Sequence, residues 1–275
     1  KSRKKVNLQP WKKITKLVLY TNNKVNIAII GKYVELKDAY KSLDEALTHG
    51  GIANNLKVNL IRIESDFLKP SEIKDKLKEV SGILIPGGFG KRGTEGKIAA
   101  VNFARKNKIP FLGICFGMQM AVIEFARNKL NIKNATSSEF GASNASVVGL
   151  MGEWTKNGKI MKGTDKDLGG TMRLGSYEAR LKKDTKISKI YKTLKIQERH
   201  RHRYEVNINY RNDFENNGMI FSGLSPDNKL PEIIELKDHP WFIGVQFHPE
   251  FKSRPLAPHP LFSSFIKAAK INSKK

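Results

Sequence analysis

The chain has 275 residues, one cysteine, and 50 lysine and arginine against 26 acidic residues, which give it a formal net charge of +24. This length allows a large buried core. The lack of a long apolar run or of a secretory leader argues against a membrane protein. The lone cysteine excludes an internal disulfide and fits a reducing cytoplasm. Because the lysines are spread evenly without interleaved aromatic residues, the charge predicts a solvated surface, compatible with anionic small molecules, rather than a nucleic-acid site.

The first 23 residues are basic and weakly amphipathic. We interpret them as a linker or the end of a preceding domain, with a membrane-surface helix as the weaker alternative. Strands and helices are then predicted to alternate. Strands are expected over residues 25–30, 58–63, 82–85 and 109–114, and helices over about 40–53, 71–80, 94–106 and 118–127.

This alternation is typical of an α/β fold with a doubly wound, mostly parallel sheet between two layers of helices. Ser71 is expected to cap the second helix. In such folds the sites lie at the carboxyl ends of the strands, so the turns after residues 85 and 114 are the first places to look for chemistry.

Residues 113–117, Gly-Ile-Cys-Phe-Gly, match the pattern of a nucleophile elbow between a strand and a helix. The two glycines would let strand and helix approach closely, and the helix N-terminus favours a thiolate at Cys115. A buried cysteine acting as a small hydrophobic residue is the alternative. The glycine spacing favours a nucleophile.

The glycine-rich turn at residues 86–90 follows the third strand. By itself it is consistent with a tight connection to the next helix. Beside a nucleophile elbow, its backbone can also stabilise a developing oxyanion. We therefore predict two donors, the N–H groups of Gly88 and Phe116.

The pattern changes after residue 131, where a smaller antiparallel part is expected. Strands are predicted over residues 147–151, 154–161 and 172–181, with a hairpin turn at 157–158 and a mobile loop or lid at 162–171. In residues 197–204, alternation would place Arg199, Arg201 and Arg203 on one surface suited to a carboxylate or phosphate, or simply on a solvated edge.

The last predicted strands cover residues 219–224, 232–236 and 241–247, and a closing helix runs from about 260 to 271. His248, Pro249 and Glu250 follow the final strand. In an extended segment His248 and Glu250 point the same way, as a base and its orienting carboxylate would. A structural histidine is the alternative.

Three motifs, PGGFG, GICFGMQ and FHPE, resemble in order and spacing those of the class I, triad-type glutamine amidotransferases. Four longer segments, GKYVELKDAYKS, DLGGTMRLG, ERHRHRYEVN and HPWFIGVQFHPEFKSRP, are similar to the glutaminase domain of the CTP synthase family. The resemblance covers nearly all of residues 25–271. It implies a flavodoxin-like amidotransferase domain at 24–275, and a linker at 1–23 from an N-terminal synthetase domain.

The resemblance implies that Cys115 attacks the side-chain amide of L-glutamine and forms a thioester. It also implies that His248 carries the proton and that Glu250 orients His248. Glu139 would pair with the substrate ammonium and Arg203 with its carboxylate. No metal or cofactor is expected in this domain. The residues expected to hold glutamine are Gly88, Phe116, Gly117, Met118, Gln119, Glu139 and Arg203.

The resemblance further implies that the ammonia passes to the synthetase domain, which uses ATP and Mg to convert UTP to CTP. GTP would activate the glutaminase step, and we connect it with residues 162–173. No phosphate-loop motif occurs in these residues, so this chain alone is not expected to make CTP. The full-length protein is expected to be a cytoplasmic homotetramer and this chain a monomer.

Phe116 departs from the family pattern, in which leucine usually follows the nucleophile. Other interpretations of the chain are the glutaminase subunit of another amidotransferase, a stand-alone γ-glutamyl hydrolase, a non-catalytic regulatory module with the same fold, and a basic nucleic-acid binder. The two segments ERHRHRYEVN and GGTMRLG argue against the first two. The intact set of Cys115, His248 and Glu250 argues against the third.

Overall fold

A computed structural model describes residues 6–141, 143–150, 153–156, 159–162 and 172–274. The strands, in chain order, are β1 Lys24–Gly31, β2 Lys57–Glu64, β3 Gly82–Ile85, β4 Phe111–Ile114, β5 Thr136–Ser137, β6 Ser146–Leu150, β7 Glu153–Lys156, β8 Lys159–Lys162, β9 Arg173–Leu181, β10 Lys195–His202, β11 Tyr204–Val206, β12 Met219–Leu224, β13 Pro231–Leu236 and β14 Phe242–Val245.

The helical elements of the described residues are α-helices and short 3-10 turns. The α-helices are α1 Gln9–Tyr20, α2 Lys41–Ala53, α3 Ile73–Leu77, α4 Thr94–Lys106, α5 Phe116–Asn128, α6 Lys186–Tyr191, α7 Arg211–Asn216 and α8 Pro260–Asn272. The 3-10 turns are Lys37–Tyr40, Ser65–Phe67, Pro70–Glu72, Ser138–Phe140, Ile208–Tyr210 and Pro249–Lys252. Within the described ranges, no helix has both the length and the apolar character needed to cross a bilayer.

One nine-stranded sheet organises the fold, in the order β10-β9-β12-β13-β14-β4-β3-β1-β2. The five strands from β14 to β2 are parallel to one another, and the four from β13 to β10 are antiparallel. The predicted α/β class and the flanking helices are confirmed. The sheet is mixed, with one parallel and one antiparallel half. The antiparallel half arises because β12, β13 and β14 follow one another through short connections, which only antiparallel neighbours permit.

A smaller β part is also present, but it is not wholly antiparallel. Strand β6 pairs antiparallel with β11 and parallel with β5, and β7 pairs antiparallel with β8, with Lys156 opposite Lys159. The strand predicted over 172–181 is β9, which belongs to the large sheet. Of the predicted loop at 162–171, Lys162 ends β8, and its other residues and the predicted hairpin turn at 157–158 lie outside the described residues.

The core has two halves, one on each face of the sheet, because both faces are covered by helices. In β1, Ala28 and Ile30 pack in the half that includes α4 and α5, whereas Ile27 and Ile29 pack in the half that includes α2 and α8. This two-sided burial explains why β1 is a continuous apolar run instead of an alternating one.

The prediction of a helix over 71–80 capped by Ser71 is wrong at both ends. Residues Pro70–Glu72 form a 3-10 turn, α3 runs only from Ile73 to Leu77, and no side chain caps it. Pro70 stands at the first position of that turn, where its fixed φ is accommodated. The expected helix in the first 23 residues is present as α1, none of whose residues is buried.

Candidate active site

The candidate site lies where β3, β4 and β14 end side by side. Val245 at the end of β14 is paired with Ile114 at the end of β4, and the N–H of Cys115 donates to the carbonyl oxygen of Val245 at 2.6 Å. The segment that carries His248 therefore leaves the sheet next to the nucleophile elbow. As predicted, the turn with Gly88, Cys115 and the His248 segment all follow carboxyl ends of parallel strands.

Cys115 occupies a strained backbone conformation at the N-cap of α5, with φ of +52° and ψ of −104°. The predicted roles of the flanking glycines are confirmed by close contacts. A Cβ at Gly117 would lie 2.1 Å from the Ile85 carbonyl oxygen, and one at Gly113 would lie 2.7 Å from the Gly117 carbonyl. A positive φ at a non-glycine residue costs about 1–3 kcal/mol, and such strain is concentrated at functional sites.

His248 lies between Cys115 and Glu250. Its Nδ1 is 2.7 Å from Oε1 of Glu250, and Cys115 acts electrostatically on its ring. Its N–H donates to the carbonyl oxygen of Arg199 at 2.7 Å, and the ring stacks on Phe251 with centroids 5.4 Å apart. The side chains of His248 and Glu250 are only 12% and 10% exposed, so the whole line of contacts is shielded from water.

The protonation of His248 follows from these neighbours. Burial by itself would lower the pKa of His248, but the charge of Cys115 and the hydrogen bonds to Cys115 and Glu250 raise it to about 10. The site therefore holds an imidazolium beside the sulfur. That arrangement keeps a proton ready for a leaving group.

The two residues predicted to supply the oxyanion donors lie near each other. A Cβ built on Gly88 would come within 3.8 Å of Cδ1 of Phe116, so the glycine turn approaches the first residue of α5. Phe116 is the first residue of α5, where N–H groups have no partner inside the helix. Its ring contacts Phe140 edge to face at 6.1 Å, and the ammonium of Lys97 lies 5.6 Å from its centroid.

The structure adds Gln246, which the sequence analysis missed. Its Nε2 donates to Sγ of Cys115 at 3.6 Å, and its Oε1 accepts from Nε2 of Gln119 at 3.3 Å. Gln119 also donates to the carbonyl oxygen of Tyr204 at 2.9 Å, so its side-chain amide is already engaged. A glutamine inside the apolar run 241–247 was the available signal, since buried polar groups need partners.

Two further predicted binding residues are constrained by burial. Met118 is fully buried with its side chain in the core, which leaves only its backbone for a ligand. Glu139 accepts a hydrogen bond from the N–H of Gly90 at 2.7 Å and so joins the turn at 86–90. Burial raises the pKa of Glu139, although that hydrogen bond and the charge of Lys32 oppose the rise.

The prediction that three arginines share one strand surface is wrong for Arg203. Arg199 and Arg201 are both exposed on β10, but the strand ends at His202 and Arg203 is the single residue before β11. Arg203 is half-buried, and its Nε has no hydrogen-bond partner in the described part of the chain. Arg201 instead helps to line a cavity of about 200 Å³ beside His248 and Glu250.

The inward face of β10 carries a buried ionic cluster that the sequence analysis also missed. Arg173 bridges Glu205 and Glu232, and His200 and His202 lie against the two carboxylates. Arg173 was assigned to the predicted lid at 162–173, but it begins β9 and is 2% exposed. The signal was the alternation of 198–202, which puts Glu198, His200 and His202 at the buried positions, where charged groups are tolerated only when paired.

Comparison with known proteins gives the class first. Residues 35–268 match the family model described as glutamine amidotransferase class-I, which covers well over half of the chain. The glutaminase domain of Trypanosoma brucei CTPS, solved with bound acivicin, is 37% identical, with a TM-score of 0.80 and coverage of 89% of this chain and 93% of that one. The chain belongs to the class-I glutamine amidotransferase family.

The curated relatives then give the branch of the family. CTP synthase of Pelagibacter ubique is 77% identical over 270 residues, which are 98% of this chain and 50% of the relative. CTP synthase of Rhizobium johnstonii is 60% identical over 266 residues, 96% of this chain and 49% of the relative. The chain thus spans about half the length of the curated relatives it matches, and this half is the glutaminase domain of CTP synthase.

Proposed function

We propose that the chain hydrolyses L-glutamine to glutamate and ammonia, with Cys115 as the nucleophile. The observation that carries the proposal is the line from the strained Cys115 through His248 to Glu250 at the shared end of β4 and β14. A cysteine nucleophile, an adjacent histidine and an orienting carboxylate together form the arrangement that acyl transfer requires.

In the first half-reaction the Cys115 thiolate attacks the γ-carbonyl carbon of glutamine. A C–S bond forms, and the oxygen takes the negative charge between the N–H groups of Gly88 and Phe116. The imidazolium of His248 gives its proton to the departing nitrogen, the C–N bond breaks, and ammonia leaves. The product on the protein is a γ-glutamyl thioester.

In the second half-reaction, neutral His248 takes a proton from water, and the hydroxide oxygen attacks the thioester carbon. The C–S bond breaks, glutamate leaves, and the thiolate and imidazolium are restored. Glu250 keeps Nδ1 of His248 as a donor through the 2.7 Å hydrogen bond, so that Nε2 is the nitrogen that exchanges the proton.

We assign the binding of glutamine to groups around Cys115, His248 and Glu250. We assign the α-ammonium to Glu139, which accepts a hydrogen bond from the Gly90 N–H, and the α-carboxylate to Arg203, whose Nε has no hydrogen-bond partner among the described residues. The backbone of residues 116–119 forms the wall next to the amide. Phe116 stands there in place of the leucine that is usual in the family, and its ring packs in the core behind that wall.

For the longer protein, we propose that the ammonia passes to a synthetase part that converts UTP to CTP with ATP and Mg. GTP would stimulate the glutaminase step, and residues 162–173 remain the segment that we connect with it. The synthetase part is then the partner of this domain, the full-length protein a cytoplasmic homotetramer, and the isolated chain a monomer. The 77% identity to a CTP synthase supports this assignment.

The test is labelling with a diazo-ketone analogue of glutamine, followed by intact mass measurement and peptide mapping. We expect one adduct, on Cys115, which excess glutamine prevents, together with ammonia release by the unlabelled protein. Cys115→Ser should abolish both the adduct and ammonia release while keeping the thermal unfolding curve. An adduct elsewhere, or undiminished ammonia release by Cys115→Ser, would refute the assignment of the nucleophile.

A further inference from the structure

The buried ionic cluster described above is built from four strands and has no part in the proposed reaction. One guanidinium bridges two carboxylates, with Nη1 of Arg173 3.1 Å from Oε1 of Glu205 and Nη2 2.8 Å from Oε1 of Glu232. Its charged plane also lies 4.5 Å from the Tyr177 ring centroid. All three charged side chains are at most 5% exposed, so each depends on the others for its partners.

The two histidines of the cluster extend it toward the candidate site. Nδ1 of His200 is 2.8 Å from Nε2 of His202, which requires one nitrogen to donate and the other to accept. Burial, with the charge of Arg173, lowers the pKa of both histidines. They are therefore neutral, and Arg173 is the cation that faces the two carboxyl groups, whose pKa values burial raises, that of Glu205 to about 8.

The cluster lies directly beside the point where the chain changes sheets. β10 ends at His202 in the large sheet, and β11 begins at Tyr204 in the small one, so Arg203 is the only residue in the step. Nδ1 of His202 is 3.5 Å from Oε1 of Glu205. Arg173 lies directly opposite His202 in the pairing of β9 with β10, and its guanidinium binds Glu205, two residues after Arg203, so Arg173 contacts the chain on both sides of the step.

The same cluster also supports the segment of His248. The His200 ring contacts the ring of Phe247 at 5.9 Å between centroids, and the neighbouring Arg199 carbonyl accepts the hydrogen bond from the His248 N–H. Two groups assigned to the reaction, Arg203 and His248, therefore both rest on the end of β10.

We propose that Arg173 is a positioning residue for glutamine: by bridging Glu205 and Glu232 it holds the end of β10, and so places Arg203 for the substrate carboxylate and His248 for proton transfer. This inference rests on the proposed function. A purely structural ion pair would contribute to stability alone, whereas a positioning residue also sets the affinity for glutamine and the rate.

The experiment compares Arg173→Met with a matched control, Arg105→Met. Arg105 likewise makes two hydrogen bonds to a buried carboxylate, at 2.8 Å and 2.6 Å to Glu124, but it joins α4 to α5. Glu124 lies eight residues into α5 from Phe116, about 12 Å along the helix. Both substitutions remove an arginine side chain that is at most 13% exposed and break its ion pair with a buried carboxylate, although Glu124 keeps hydrogen bonds from Asn102 and Asn128.

We expect Arg173→Met to raise KM for glutamine, and Kd by calorimetry, by about ten- to a hundredfold, with a smaller fall in kcat, because displacements near 1 Å carry penalties of this size. Arg105→Met should lower the unfolding temperature similarly while KM stays within about twofold of wild type. Arg173→Lys, which keeps the charge but not the planar fork, should fold and show an intermediate KM.

Unchanged KM and Kd in folded Arg173→Met would overturn the proposal, as would an equal rise of KM in Arg105→Met. If Arg173→Met does not fold, Arg173→Lys decides in the same way, since a wild-type KM there would also overturn it. The proposed function fails separately, if the wild-type chain neither binds nor hydrolyses glutamine.

Discussion

The backbone of Gly87 faces the His248 ring so closely that a single methyl group should displace the proposed base. A Cβ at residue 87 would lie 2.7 Å from Cε1 of His248, whereas ordinary contacts begin at 3.4 Å, so Gly87→Ala requires a shift of about 0.7 Å. If the ring alone moves, its 2.7 Å hydrogen bond to Glu250 lengthens to about 3.4 Å, outside the usual range. Both ring nitrogens of His248, Nδ1 toward Glu250 and Nε2 for proton exchange, are then out of position.

We expect Gly87→Ala to lower kcat/KM for glutamine by about ten- to a hundredfold, equivalent to about 1.4–2.7 kcal/mol in the barrier. The assay is a double-mutant cycle with His248→Ala, which removes the atom that the methyl group meets. In that background Gly87→Ala should have almost no further effect. Equal losses in both backgrounds, or no loss in the single variant, would refute the steric reasoning.

Three further predictions concern the other groups of the site. His248→Ala should lower kcat by about 10²–10⁴-fold, and Glu250→Ala by less, because Glu250 orients the base and does not transfer the proton; equal rates in steady-state assays would contradict this order. Arg203→Ala should raise KM for glutamine by about tenfold or more, since a hydrogen bond to a charged group contributes about 1.5–3 kcal/mol, and an unchanged KM would exclude its carboxylate role. The pKa of His248 is raised to about 10 from an unfolded value of 6.5, so its stabilising contribution is complete below pH 6.5 and declines as pH rises toward 10. The difference in urea unfolding free energy between wild type and His248→Ala should decline over this window, and an increase with pH would show that the sign is wrong.

The elements with the strongest local signals were predictable from sequence. The apolar runs of β1, β3 and β4 and the predicted spans of α4 and α5 agree with the structure to within a few residues. Burial on both faces of the sheet leaves a continuous apolar run in each of these strands. The nucleophile elbow at residues 113–117 was also predictable, because its signal is local. The glycines at 113 and 117 are required by contacts between backbone segments close together in the chain or on the next strand.

Short elements and end points were harder to predict. α6 and α7 have six residues each, too few for a helical period to show. The end of β10 at His202 and the start of β11 at Tyr204 depend on which sheet offers hydrogen bonds, and alternation alone extends β10 to Arg203, which belongs to neither strand. The start of α3 depended on the local turn at Pro70.

The sequence by itself determined the chemistry that the site can carry: a single cysteine between spaced glycines, and a histidine with its carboxylate on one rigid tripeptide. These are local patterns, in which one residue specifies the conformation of its neighbours. Only the tertiary structure decided how the groups meet. The pairing of β4 with β14 places His248 against Cys115, Gln246 reaches the sulfur, and Arg173 joins carboxylates 32 and 59 residues away in the chain. Contacts over such separations depend on strand order and register, which the residues near any one of these positions do not encode.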